Sequence, residues 1–238
     1  MSWSNVIKRI EPMIKANTYI TQSDIDDRIR SVQYDIEHVT FKINSKPAEN
    51  YRITDEHFND GGGVKARFKV NIEAVKLLKT LEASNRSATP DEQEILAHYV
   101  GWGGLAQAFD KHNNLWKNEY AELKELLTPA EYESARGSVN NAHYTSPIVI
   151  EAIYKGLENL GFKSGKILEP SMGSGNFFGM IPPKMSNSKL YGVELDNITG
   201  RLAKQLYPNA DISIYGFEKT KFPDNSFDVC LGNVPFGV

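Results

Sequence analysis

Residues 166–177, Lys-Ile-Leu-Glu-Pro-Ser-Met-Gly-Ser-Gly-Asn-Phe, are an apolar run that stops at an acid and a proline and turns through two glycines. A run of this kind carries the chain to the top of a parallel sheet. The glycines lack a Cβ and tolerate φ > 0, so the backbone there can approach a ligand closely. From residue 145 onward, helix and strand patterns alternate. Ser146-Pro147 opens a helix with Val149, Ile153, Leu157 and Leu160 on one face, and strands are expected near 166–169, 189–194, 212–215 and 227–232. Ile198, Leu202 and Leu206 mark a helix between the second and third strands, and Pro182-Pro183 should cut short the helix after Gly175. The alternation predicts an α/β fold built on a parallel sheet with right-handed crossovers. Its ligand site should lie at the carboxyl ends of the strands, where Glu169, Glu194 and Asn233 fall. Two glycines alone are a weak signal. A dinucleotide fingerprint would carry a third glycine where Phe178 stands, so the loop by itself implies only a nucleotide site of some kind.

Two further features sharpen it. Glu194 ends a second apolar run, Lys189 to Val193, 19 residues past Gly175, and an acid so placed can accept both ribose hydroxyls. Phe227-Asp228-Val229-Cys230-Leu231-Gly232 then leads into Asn233-Val234-Pro235-Phe236. In this order the motifs resemble those of the adenine-N6 DNA methyltransferases of the Asn-Pro-Pro-Tyr/Phe type, and Tyr144-Thr145-Ser146-Pro147 resembles the donor-contacting segment ahead of their first strand. Gly62–Lys69, Tyr99–Leu105 and Gly232–Gly237 resemble more closely the N-terminal methylase region of large helicase-methylase proteins of conjugative elements and phages. That resemblance reaches back to about residue 50.

The resemblance implies a Rossmann-like, S-adenosylmethionine-dependent methyltransferase sheet with strand order 3-2-1-4. A mainly helical region would precede it. Residues 1–50 would be an unassigned arm, 51–140 the helical region, and 141–238 the N-terminal part of a methyltransferase domain. It places the donor S-adenosyl-L-methionine against Tyr144, Thr145, Pro147, Glu169, Pro170, Gly173, Gly175, Phe177, Glu194 and Glu218. Asn233, Val234, Pro235 and Phe236 would serve the target, an adenine flipped out of DNA, with Phe236 stacked on the base. Two positions depart from the pattern: Val234 stands where the family usually has proline, and Gly216-Phe217-Glu218 replaces an acid directly after glycine. Chemistry of the same kind could serve a protein glutamine amide, or the donor site could persist in a non-catalytic binding module. Expected partners are DNA and either a C-terminal helicase/methylase portion or a second copy paired at the sheet edge. On this reading the 238-residue chain alone is an N-terminal fragment, inactive as a methylase.

Bulk properties limit the alternatives. The chain has 238 residues, 40% hydrophobic and 24% charged, with a net charge of −3, so it can bury a core and carries no overall basic field for DNA. Lys65, Arg67, Lys69, Lys76 and Lys79 form the best local basic patch, and its simpler reading is a solvated helix face. The single cysteine, Cys230, excludes an intramolecular disulfide framework and a multi-cysteine zinc site, and its apolar surroundings predict a core position. No metal-ligand set is read from the sequence; Asp24, Asp26 and Asp27 lack calcium-loop spacing and suit a helix's first turn. Helices are expected around 4–15 and 23–37, a strand near 39–43, and a break at Gly61-Gly62-Gly63. Thr89-Pro90-Asp91-Glu92 and Thr128-Pro129-Ala130-Glu131 are capping boxes that start helices. Trp102, in Gly101-Trp102-Gly103-Gly104, either anchors that turn or stacks on a base, and packing is the simpler role. With no long apolar run or leader-like segment, a cytoplasmic, non-membrane protein is expected.

Overall fold

The computed structural model describes residues 49–54, 57, 62–140 and 144–234, which lie in one compact unit starting at Ala48. The elements expected before residue 48, the Asp24–Asp27 cluster, and Pro235 and Phe236 fall outside the described residues.

The chain enters through helices α1 (Val64–Ala83), α2 (Pro90–Ala97), α3 (Lys117–Leu126) and α4 (Pro129–Gly137). Both capping boxes form. The Glu92 and Glu131 amides donate to the Thr89 and Thr128 hydroxyls at 3.3 Å, and each glutamate accepts the threonine's own N–H at 2.9 Å. Each box satisfies two of the N–H groups that a helix start leaves unpaired. Trp102 is fully buried, edge-on to Tyr99 and Phe109, so its ring anchors the glycine turn in the core. The basic patch is a helix face with paired charges: Lys65, Lys76 and Lys79 reach Glu119, Glu122 and Glu131 from α1.

Helix α5 (Pro147–Asn159) leads into β1 (Lys166–Glu169), the short α6 (Asn176–Gly179) and β2 (Lys189–Glu194). Then follow α7 (Asn197–Leu206), β3 (Asp211–Ile214) and β4 (Val229–Cys230). The strands form one parallel sheet in the order β3-β2-β1-β4. This is an α/β, Rossmann-like sheet. The chain winds outward from β1 to β3 and returns to pair β4 with β1, so the order reverses beside β1, where such sheets leave a crevice at their carboxyl ends. One core runs from Phe68 in α1 through Ile150, Ile198 and Leu202 to Ile167, Leu190 and Leu231 in the sheet. Over the other face, the β3–β4 connection lays Phe227 against Tyr191 (5.2 Å) and Phe222 (4.8 Å).

Two sequence expectations change. The packed stripe of α5 centres on Ile150 and Tyr154, while Val149 and Leu160 are exposed. The helix has more apolar residues than one stripe can hold, and Tyr154 decides the rotation because its hydroxyl donates to the Phe177 carbonyl at 2.7 Å. Cys230 is exposed rather than core. Side chains alternate along β4, Leu231 faces the core, and Cys230 falls on the opposite face of a strand that pairs only with β1 among the described residues. Among the described residues no helix is long and apolar enough to cross a membrane.

Candidate donor-binding site

The loop after β1 is fastened to the end of β2. The Met172 amide donates to the Val193 carbonyl at 2.9 Å, and the Gly173 and Asp196 amides donate to the two Glu194 carboxylate oxygens at 2.7 Å each. Glu194 therefore holds the loop, and a carboxylate has more acceptor positions than these backbone donors fill. Gly175 has φ = 87°, and a Cβ there would run into the Tyr207 ring, so both conformation and space require glycine. Asp196 starts α7 by accepting the Thr199 amide at 2.8 Å, and its other oxygen takes the Ser134 hydroxyl of α4 at 2.6 Å. This draws the helical region against the sheet's carboxyl edge.

Tyr144 fills the gap between two glycines. A Cβ on Gly101 would meet its hydroxyl at 2.7 Å, and one on Gly173 would meet its ring at 3.2 Å. Gly101 is held by Asn71, a fully buried α1 side chain that donates to the Gly101 carbonyl at 2.6 Å and accepts the Val100 amide at 3.0 Å. Burial, with Glu194 nearby, raises the Tyr144 phenol far above its usual range, so it stays protonated.

These contacts enclose a cavity of about 530 Å³ at the carboxyl ends of β1, β2 and β4. Of the residues expected at the site, Tyr144, Thr145, Glu169, Gly173, Phe177, Glu194 and Asn233 line it. Pro147, Pro170, Gly175, Val234 and Glu218 do not; Pro147 is the first residue of α5, and the exposed Glu218 carboxylate folds back against Gly216. The helical region supplies wall residues that sequence reasoning passed over: Gly101, Ser134, Gly137 and Ser138. The glycine turn at 101–104 was the available signal; nothing local marked the two serines. A larger hollow of about 630 Å³ between Ala106 and Asn140 contains none of the motif residues.

The cavity's electrostatics are one-sided. Glu133, Glu169, Glu194 and Asp196 line it, and among the described residues no lysine or arginine does. Glu169 is 2% exposed, and its Oε2 has no hydrogen-bond partner. Burial first, then the neighbouring Glu194, push its carboxyl well above the usual range, and burial also raises Glu194 against the pull of its backbone donors. Two buried acids with an unfilled acceptor form a receptor for positive charge and hydrogen-bond donors. A phosphate is disfavoured here by the four acidic side chains.

A parallel β3-β2-β1-β4 sheet with a glycine loop after β1 and an acid after β2 is the arrangement of a Rossmann-like methyltransferase. Over 175 residues, 73% of its length, the chain is 27% identical to Defense against restriction protein B of Escherichia phage P1, spanning 6% of that protein. Over 80 residues, 33% of its length, it is 36% identical to Type II methyltransferase M.CvrRI of Paramecium bursaria Chlorella virus XZ-6E, spanning 21% of it. Both matches support a relationship to the N6-adenine methyltransferase-like proteins that the motifs resemble. The chain thus covers only a small part of either relative. No family model and no solved structure matches it.

Proposed function

We propose that the chain carries the donor-binding part of an S-adenosyl-L-methionine-dependent DNA methyltransferase acting on the amino group of adenine. The observation that carries this reading is the acid-lined cavity with its orphaned Glu169 oxygen. S-adenosylmethionine presents a sulfonium and an ammonium, both positive, and a ribose diol. A cavity of about 530 Å³ with four acidic side chains and, among the described residues, no basic one suits that charge pattern and disfavours a nucleoside phosphate. Glu194 would accept the ribose hydroxyls, Glu169 would face the ammonium, and Phe177 and Tyr144 would give apolar wall. The donor supplies a methyl group already activated on sulfur, so the protein's share is positioning and exclusion of water. Asn233, at the cavity rim, would accept a hydrogen bond from the adenine amino group through its side-chain oxygen, with the Val234 carbonyl accepting a second. These bonds draw the nitrogen toward tetrahedral geometry and aim its lone pair at the methyl carbon.

Calorimetric titration of the chain with S-adenosylmethionine and, separately, with ATP tests the donor assignment. The sulfonium compound should bind and ATP should not. Glu194→Ala should weaken donor binding by roughly 10-fold or more, since a charge-assisted hydrogen bond contributes about 1.5–3 kcal/mol. Equal affinity in the variant sinks the assignment. In the full-length protein, Asn233→Ala should abolish methyl transfer to adenine and leave donor affinity intact. Donor binding without any transfer by the unaltered full-length protein would favour a non-catalytic binding module instead.

A further inference from the structure

Outside the cavity lining, His57, Glu94 and His98 converge, with their ligand atoms all within 4.8 Å of one another. We propose that they form a divalent transition-metal site suited to zinc, which pins residues 49–54 and His57 to α2. Glu94 and His98 lie one helical turn apart, and His57 arrives from the segment before α1. Glu94 Oε1 is 3.0 Å from His57 Nε2 and 3.8 Å from His98 Nε2. Zinc held at about 2.0–2.1 Å by three tetrahedral ligands needs them roughly 3.3 Å apart, so side-chain rotation alone brings the set into range. Two imidazoles and a carboxylate with an open fourth position are a set that zinc accepts.

The surrounding bonds orient the set; without metal they close as a hydrogen-bonded cluster in which the Tyr51 hydroxyl lies 2.6 Å from His57 Nε2, a contact that a cation on Nε2 would displace. Ligating histidines usually donate their second ring N–H to a carbonyl or carboxylate, and ligating carboxylates are themselves oriented by a donor. His57 Nδ1 lies 3.2 Å from the Thr54 carbonyl and 3.1 Å from the Thr54 amide. Without metal, Nδ1 accepts that amide and the proton sits on Nε2. With metal on Nε2 the proton moves to Nδ1, where the Thr54 carbonyl 3.2 Å away can accept it once the ring shifts off the Thr54 amide. The Tyr51 hydroxyl donates to Glu94 Oε2, which leaves Oε1, the oxygen facing both imidazoles, for a cation.

The segment so pinned supports the donor loop from behind. The Tyr51 amide donates to the Leu206 carbonyl at 2.8 Å and the Ile53 amide to the Gly179 carbonyl at 3.1 Å, at the end of the short helix α6. Gln93, beside Glu94 on α2, donates to the carbonyls of Glu49 and Gln205. A metal at His57, Glu94 and His98 would close this strap.

Zinc competition against a chromophoric chelator, with melting followed in parallel, tests the site on the intact chain. One equivalent of zinc should bind and raise the melting temperature by mass action. Cobalt(II) should give the intense visible absorption of a low-symmetry, four-coordinate site. His98→Ala removes a half-exposed ligand and should weaken binding at least 10-fold without lowering the metal-free melting temperature. His57→Gln should weaken binding likewise, with some loss of metal-free stability because His57 is buried and hydrogen-bonded, while Tyr51→Phe should keep stoichiometric binding. Absence of stoichiometric binding, or affinity unchanged in both histidine variants, overturns the proposal.

Discussion

Gly101 shows how one residue can serve both the fold and the site. Its φ of 68° is a left-handed conformation that an L side chain adopts with strain, and a Cβ would press on the Tyr144 hydroxyl at 2.7 Å. Gly101→Ala should therefore cost about 1–3 kcal/mol and push Tyr144 into the cavity. Chemical denaturation should show the loss, and donor titration should show weakened binding; a variant as stable and as tight as the parent removes Tyr144 from the site's wall. Glu169 makes the second residue-level prediction. Its folded-state carboxyl titrates well above the usual range, so the folded chain holds more protons than the unfolded one once the unfolded carboxyl ionises, and the Glu169 contribution to stability without donor falls as pH rises above the ordinary carboxyl range toward the folded value. A cationic donor reverses the sense, because it favours the ionised carboxylate and so binds more tightly at pH 8 than at pH 6. Melting curves across that range, with and without donor, read both effects, and Glu169→Ala should flatten both. A donor affinity that does not change with pH would mean that Glu169 does not face the ligand's charge.

At the scale of elements, Glu131 joins three helices. Its carboxylate caps α4, takes Lys79 of α1 at 2.8 Å and takes Arg201 of α7 at 2.6 Å. Burial opposes ionisation, yet Arg201, Lys79 and the Thr128 amide outweigh it and bring the carboxyl down to about 2. Glu131→Ala removes a cap contact worth about 1 kcal/mol and one partner each of Lys79 and Arg201, which are partly exposed and of which Arg201 keeps Glu82, so a loss of about 1–3 kcal/mol is expected by urea denaturation. A loss under 1 kcal/mol would mean the ion pairs are inconsequential. The sequence made much of this legible. Thr128, Pro129 and Glu131 announced the helix start, Gly173, Gly175 and Glu194 announced the loop and its acid, and Ile198, Leu202 and Leu206 gave the buried face of α7, because each follows from local geometry. Less legible were features set by distant packing: the rotation of α5 about Tyr154, the exposure of Cys230, and the cavity wall from Gly101, Ser134 and Ser138. Lys79 and Arg201 lie 52 and 70 positions from Glu131, and no periodicity connects them.

For the molecule as a whole, the decisive fact is that helices and sheet share one core. Phe68, Leu78 and Trp102 of the helical half belong to the same buried cluster as Ile167, Leu190 and Leu231 of the sheet. Polar ties cross between the halves as well: Ser134 to Asp196, Tyr99 to Thr199, Arg201 to Glu82 and Glu131. Segments that bury the same surface lose it together, so the described unit should unfold in one step. The tryptophans allow a direct check. Trp102 and Trp116 are both buried in the helical half and none of the sheet strands contains one, so in a Trp3→Phe background fluorescence reports the helical half alone. Its urea midpoint should coincide with the midpoint for loss of donor binding, which requires the sheet's carboxyl ends. Saturating donor should then shift both midpoints equally, although no tryptophan lines the cavity, because binding to the folded state stabilises the whole cooperative unit by mass action. If donor binding is lost at a lower urea concentration than the fluorescence change, the two halves unfold separately and the shared core does not couple them.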